Sequence, residues 1–171
     1  MAGWTEIEST TLASPAASVS FTTGLGGYAF FRLTVFALKS SGTATVIVRL
    51  NNDSGTNYAF QQIAANSTTI TGARSTTQSS VGLTDSAGWD TSQGTTAMFT
   101  ALIAKPSATV KAQAIGMSNY PAGTPGNTSG ELNLIGGEWA NTADAISRID
   151  VLNGSGDFAI GSTFLLEGLA T

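Results

Sequence analysis

Alternation of apolar and polar residues with a period of two is the feature that most constrains the fold of this chain. In the run Thr43–Leu50, every second residue from Ala44 onward is apolar, and Thr45 and Arg49 fall on the opposite face. Side chains of a β-strand point alternately to its two faces, whereas a helix needs apolar residues three or four positions apart. Helical spacing is nearly missing here, because Gly, Ser and Thr interrupt most windows. The pattern therefore predicts an all-β protein.

About ten short segments fit strands, and turns rich in Gly, Asn, Asp and Pro separate them. The candidates are Trp4–Leu12, Ser18–Phe21, Tyr28–Lys39, Thr43–Leu50, Asn57–Ile63, Ser67–Thr71, Thr95–Ala104, Thr109–Gly116, Glu131–Trp139, Ala145–Leu152 and Ser162–Leu169. Thr95–Ala104 also fits a short buried helix, but its β-branched and aromatic residues favour a strand. There is no repeat of fixed period, which disfavours a propeller or a β-helix. We expect residues 1–171 to form a single antiparallel β-sandwich of jelly-roll type.

The segment Tyr28–Lys39 is apolar on both of its faces. Phe31 and Val35 fall on one face, and Phe30 and Phe36 fall on the other. Strands that are buried on both sides have this composition. The pattern therefore predicts a central strand that is covered on both faces.

The low charge of the chain excludes several classes of partner. Only 11% of the residues are charged, against about 25% in an average soluble domain. The seven Lys and Arg residues are scattered singly and form neither a nucleic-acid footprint nor a polybasic membrane patch. No run approaches the ~20 apolar residues of a membrane span. We therefore expect no nucleic acid and no membrane among the partners. A weakly charged surface is typical of a protein that is buried against other proteins, because few charges must then be desolvated.

The residue types that carry most enzyme chemistry are missing. The chain has no His and no Cys, which removes His-based nucleophilic triads, thiolate nucleophiles and the common zinc ligands. We expect no enzyme and no cofactor. Carboxylates that could serve a glycosidase remain as an alternative, although their spacing alone pairs none of them; the candidates are Glu6 with Glu8, Asp85 with Asp90, Glu131 with Glu138, and the single residues Asp144, Asp150, Asp157 and Glu167.

A few further residues are candidates for binding. The run Asn51–Ser54 collects oxygen ligands that could hold a calcium ion, although Asp53 there is more typical of an Asx-turn, and we expect no metal. Trp89 lies in a turn-like stretch and is a candidate contact residue, with packing under its own loop as the alternative. Tyr120 is a second candidate contact, because it opens the Gly- and Pro-rich stretch Tyr120–Gly130, which reads as an exposed loop. Trp4 and Trp139 lie in strand patterns and are expected in the core.

Three stretches together resemble a family of small virion structural proteins of tailed bacteriophages. They are Trp4–Ile7 with Leu12–Phe21, the strand–turn–strand element Arg49–Tyr58, and Ile146–Ile149 through Phe158–Gly168. These motifs are strand and turn signatures, and Thr76–Gly130 carries none of them. Relatives often have Tyr before the terminal Gly, where this chain has Glu167.

The resemblance implies a capsid decoration or cement protein, or a head-fibre or tail-fibre module, with a jelly-roll-like fold and no catalytic residues. We expect the first of these: a protein on the capsid surface of the virion that binds the major capsid protein between capsomers, as a homotrimer. The alternative is a receptor- or glycan-binding fibre module. The chain opens without the basic and apolar regions of a signal peptide, which fits a particle that assembles in the cytosol and leaves by lysis.

Overall fold

The computed structural model describes residues 3–38, 45–66, 68–84, 96–121 and 130–170, and these ranges form twelve β-strands. The strands are β1 (Thr5–Thr11), β2 (Ser18–Phe21), β3 (Tyr28–Ala37), β4 (Val46–Leu50), β5 (Tyr58–Asn66), β6 (Thr69–Gln78), β7 (Val81–Gly82), β8 (Ala97–Ala104), β9 (Ala112–Pro121), β10 (Gly130–Trp139), β11 (Ile149–Asn153) and β12 (Thr163–Ala170). The described ranges hold no helix, and hence none that is long and apolar enough to cross a membrane.

The strands form two antiparallel sheets. One has eight strands in the order β1-β12-β3-β8-β9-β10-β5-β6, and the other has four in the order β2-β11-β4-β7. The prediction of an all-β antiparallel sandwich is therefore confirmed. The jelly-roll type stays a prediction, because a jelly roll distributes eight strands over two sheets, whereas here the larger sheet alone has eight.

The core lies between the two sheets and follows the alternation of the sequence. On β4, Val46, Val48 and Leu50 are buried, while Ile47 and Arg49 are only half-buried, as the pattern predicts. The eight-stranded sheet contributes its own inward-facing residues, and the largest fully buried side chains are Trp139, Tyr58, Tyr120, Phe21, Phe31, Phe99, Phe158 and Phe164. The expected burial of Trp139 is thus confirmed. One contiguous apolar core supports the sandwich.

The prediction that the strand at Tyr28–Lys39 is covered on both faces is wrong for the described residues. β3 does lie inside the sheet, between β12 and β8. Phe31 and Val35 point into the core, but Phe30 is 38% exposed and Phe36 is 49% exposed on the opposite side. The apolar second face of β3 is thus open to solvent.

Several strands differ from the predicted ones, and two of these differences have identifiable reasons. β7 has two residues, which is too short to show any alternation. The predicted strand Thr109–Gly116 stopped at its glycine, whereas β9 continues to Pro121. A Cβ at Gly116 would lie 3.1 Å from Cδ2 of Leu83 and 3.3 Å from the carbonyl oxygen of Thr100, so this glycine marks a close approach within the core rather than the end of a strand.

Candidate functional site

The face of the eight-stranded sheet that points away from the four-stranded sheet carries most of the exposed large apolar side chains. We call it the outer face. Ten such residues on six strands are between 38% and 76% exposed: Phe30, Phe36, Ile63, Ile70, Met98, Leu102, Ile115, Met117, Leu132 and Leu134. Single exposed apolar residues are ordinary, but a contiguous patch of this kind marks an interaction site.

The strand register places these residues side by side. Met117 of β9 pairs with Thr100 of β8 on one side and with Leu134 of β10 on the other, and Leu134 in turn pairs with Ile63 of β5. Residues paired across antiparallel strands lie on the same face of the sheet, about 5 Å apart. The outer face is therefore one continuous apolar surface from β3 to β6.

An ion pair and an indole ring border this surface. Arg32 of β3 donates from Nε to Glu167 Oε2 at 2.6 Å and from a second guanidinium nitrogen to Oε1 at 2.7 Å. These hydrogen bonds raise the pKa of Arg32 and lower the pKa of Glu167. The guanidinium also lies 5.0 Å from the ring centre of Trp4. Trp4 is half-buried on the outer face, so its expected place in the core is wrong.

Trp4 also shapes the outer face. It lines two adjoining clefts of about 530 and 390 Å³, which share Leu102 and Ile115 as further walls. Both clefts are predominantly apolar. They provide hollows in which side chains of a docked protein surface can be buried.

The charged side chains of the outer face balance one another. Among the described residues they are three acids and three bases, namely Glu6, Glu138, Glu167, Arg32, Arg74 and Lys111. Lys111 lies 2.7 Å from Glu138, and hydrogen bonds from Lys111 and Gln113 lower the pKa of that carboxyl. The face therefore has almost no net charge.

Tyr120 is buried, which corrects its expected role as a surface contact. It is 0% exposed, and its hydroxyl donates to Glu131 Oε1 at 2.6 Å and accepts from Asn133 at 3.1 Å. Gln62 donates to Asn133 at 2.5 Å, and Asn66 donates to Glu131 Oε2 at 3.2 Å. These groups form a buried polar cluster between β9, β10 and β5. The cluster supplies hydrogen-bond donors to both oxygens of a carboxylate inside the protein.

The other predicted contact lies where the structure is not described. Trp89 falls in the range 85–95, and most of the predicted loop Tyr120–Gly130 falls in 122–129, both outside the described residues. Of that loop, Tyr120 and Pro121 belong to β9, and Gly130 begins β10. Two residues that the prediction placed in an exposed loop are therefore the end of a strand.

In the turn that could have held a cation, both carboxylate oxygens of Asp53 accept hydrogen bonds from within the protein. Asp53 accepts hydrogen bonds from Trp139 Nε1 at 2.7 Å, from Asn57 at 2.9 Å and from the backbone N–H of Gly55 at 2.9 Å. Burial pushes the pKa of Asp53 upward, but these hydrogen bonds outweigh it and lower the pKa overall. Within the described ranges, no cluster of three or more Asp and Glu residues is arranged to hold a metal.

Two of the three carboxylate pairs proposed for a glycosidase lie in the described residues, and neither forms a pair there. A bulge between Glu6 and Glu8 pairs Glu6 with outward-facing Glu167 and Glu8 with buried Leu166, so the two point to opposite faces. Glu131 points inward while Glu138 points outward. The third pair, Asp85 and Asp90, lies outside the described residues.

A polar cleft of about 410 Å³ separates β5 and β6 from β4 and β7. Its walls offer amide and hydroxyl groups from Gln62, Gln78, Ser80 and Thr84, next to the ring of Phe60. Such walls suit a neutral, hydroxyl-rich ligand.

Comparison of the chain with protein-family models, with curated proteins and with solved structures finds no match in any of the three. The function must be inferred from the chain's own residues. The outer face is the part of the site that the sequence expectations missed. Its signal lies in strands that are apolar on both sides, such as Tyr28–Ala37 and Ala97–Ala104. For Tyr28–Lys39 this pattern predicts burial on both faces, and that prediction is wrong.

Proposed function

We propose that this protein is a virion structural protein of a tailed bacteriophage, and specifically a capsid decoration or cement protein. It would bind between capsomers of the major capsid protein and stabilise the shell without any chemical reaction. The observation that carries this proposal is the outer face, which is broad, apolar and nearly neutral. The resemblance of the sequence to small phage virion proteins supplies the biological setting.

The physical case begins with the cost of leaving the outer face exposed. Monomeric soluble proteins rarely expose contiguous apolar patches larger than a few hundred Å². Covering such a patch gains about 25 cal/mol for each Å² of apolar surface removed from water. Here the gain is opposed by the cost of desolvating the few charges of the face, which the two hydrogen bonds between Arg32 and Glu167 offset in part. The outer face therefore fits a protein that works inside an assembly.

Shell stabilisation then follows from mass action. A protein that binds the assembled shell and not its separated subunits stabilises the shell by an amount that grows with its concentration and affinity. Each copy need contribute only a few kcal/mol, because the contributions of many copies accumulate.

The polar cleft between β5–β6 and β4–β7 favours a second candidate function. Its amide and hydroxyl groups and the adjoining ring of Phe60 are the groups that bind sugars. A head-fibre or tail-fibre module that binds a host receptor or glycan would use this cleft, and its outer face would pack inside the fibre.

Copy number separates the two candidates. Decoration proteins cover a shell and are abundant, whereas fibres occur in small numbers on each particle. Quantitative protein gels of the purified virion, scaled to the major capsid protein, measure this ratio directly. We expect a copy number per particle of the same order as the number of capsomers. A ratio that corresponds to a few fibres would contradict the decoration proposal and favour the fibre module.

A further inference from the structure

We propose that a second copy of this chain covers the outer face. The inference rests on the proposed function in one respect, that the outer face is buried in the working protein. It goes further by naming the occupant and the residues at the contact, and it can be tested without any virion.

The exposed apolar area matches what a stable association needs. Large side chains carry roughly 150–200 Å² each when fully exposed, so ten that are about half exposed amount to roughly 900 Å². An interface of standard size buries about 800 Å² on each partner. The outer face alone can therefore supply one complete interface.

The distribution of charge on the outer face makes it complementary to itself. Glu6 lies on β1 at one edge of the sheet, and Arg74 lies on β6 at the other edge, seven strands away. Both side chains are exposed, and the apolar strands lie between them. A second copy that is turned to bring its β6 edge over the β1 edge of the first would place Arg74 near Glu6 at both ends of the contact. Opposite charges at the rim set orientation more than affinity.

The clefts and protruding side chains of the outer face are also suited to packing against a second sheet. Stacked sheets lie about 10 Å apart, and their facing side chains interdigitate. The two clefts beside Trp4 are hollows of the right character to receive apolar side chains. When the β6 edge of one copy lies over the β1 edge of the other, β8, β9 and β10 of one copy face the clefts of the other, and Ile115, Met117 and Leu134 on these strands supply exposed apolar side chains.

Contact between two copies would also protect the outer face from aggregation before any capsid is available. Newly made subunits exist in solution before any shell is available, and an uncovered apolar face would cause them to aggregate. Face-to-face contact between two copies closes on itself by twofold symmetry. The homotrimer expected from the sequence would instead require each outer face to meet two neighbours.

The experiment measures the mass of the purified full chain by sedimentation equilibrium over a wide range of concentrations. Ile115→Lys and Leu134→Lys each place a charge in the centre of the outer face, at positions 54% and 45% exposed. The matched control is Ile160→Lys, which is 58% exposed in the turn between β11 and β12 and not on the sheet. Circular dichroism and thermal melting of all variants verify that they fold.

We expect the wild type and Ile160→Lys to have the mass of two chains. Each outer-face variant should weaken the association about tenfold or more, because a buried unpaired ammonium is expensive. An oligomer of three chains that dissociates in both variants supports the same occupant with threefold closure. A wild type that remains a single chain at every concentration overturns the proposal, and so does an oligomer that survives both substitutions. A self-associating protein that does not stabilise virions would leave this inference intact and remove the proposed function.

Discussion

The hydroxyl of Tyr120 lies 2.6 Å from Oε1 of Glu131, and both side chains are sealed inside the protein, at 0% and 1% exposure. These two residues are direct neighbours on β9 and β10. Their hydrogen bond therefore links β9 to β10 at the point where the sequence pattern predicts the start of a loop. A carboxylate buried this deeply depends on every donor that it has.

Tyr120→Phe should lower the free energy of unfolding by about 1–3 kcal/mol, because it removes a donor from the buried carboxylate and an acceptor from Asn133. Tyr28→Phe, at a half-buried position on β3, is the matched control and should change stability by less than about 0.5 kcal/mol. Urea unfolding followed by tryptophan fluorescence measures both. Equal effects of the two substitutions would show that the Tyr120 hydroxyl is not held as described.

Gly137 and Gly136 provide a test of how the two sheets pack. A Cβ at Gly137 would lie 2.7 Å from Cγ1 of Val81 on β7, whereas a Cβ at Gly136 would have no atom within 4 Å. Gly137→Ala should therefore cost about 1–3 kcal/mol by overpacking. Gly136→Ala should be neutral or stabilise by up to about 1 kcal/mol, because it restricts the unfolded chain. Thermal unfolding measures both effects. If Gly137→Ala melts at the same temperature as the wild type, β7 does not lie over β10 at this position.

Most of the fold could be predicted from the sequence, because alternation is strong wherever one face of a strand is buried. The strand Ser18–Phe21 matches its prediction at both ends, and β10 differs from its prediction by one residue. The sheet order could not be predicted. It depends on contacts between strands far apart in the chain, such as β12 with β3 and β10 with β5, and local patterns carry no information about these.

The candidate site was harder to predict than the fold. Trp4 and Trp139 both lie in strand-like patterns, yet Trp139 is buried and Trp4 stacks on Arg32 outside the core. Whether such a tryptophan is buried or exposed depends on the position of the neighbouring strands. An apolar residue on a strand indicates that its side chain is buried, but it does not indicate whether the same chain or a second chain buries it.

Asp53 makes the free energy of unfolding depend on pH in the acid range. Its pKa is lowered in the folded protein, so its contribution is present above its ordinary pKa of about 4 and is lost as the pH falls through the folded value. In Asp53→Asn the amide does not titrate. We expect the difference in unfolding free energy between wild type and variant to be largest near neutral pH and to shrink below pH ~4. Urea unfolding across this range measures it, and a difference that stays constant with pH would contradict the assignment.

The most direct test of the central claim compares virions that carry this protein with virions that lack it. If the protein is a decoration protein, particles without it should rupture at a lower temperature and under milder osmotic shock, because the shell has lost a ligand that binds only its assembled form. They should still adsorb to host cells at the wild-type rate. Particles that are equally robust and fail only in adsorption would contradict the account and make the protein a receptor-binding fibre module.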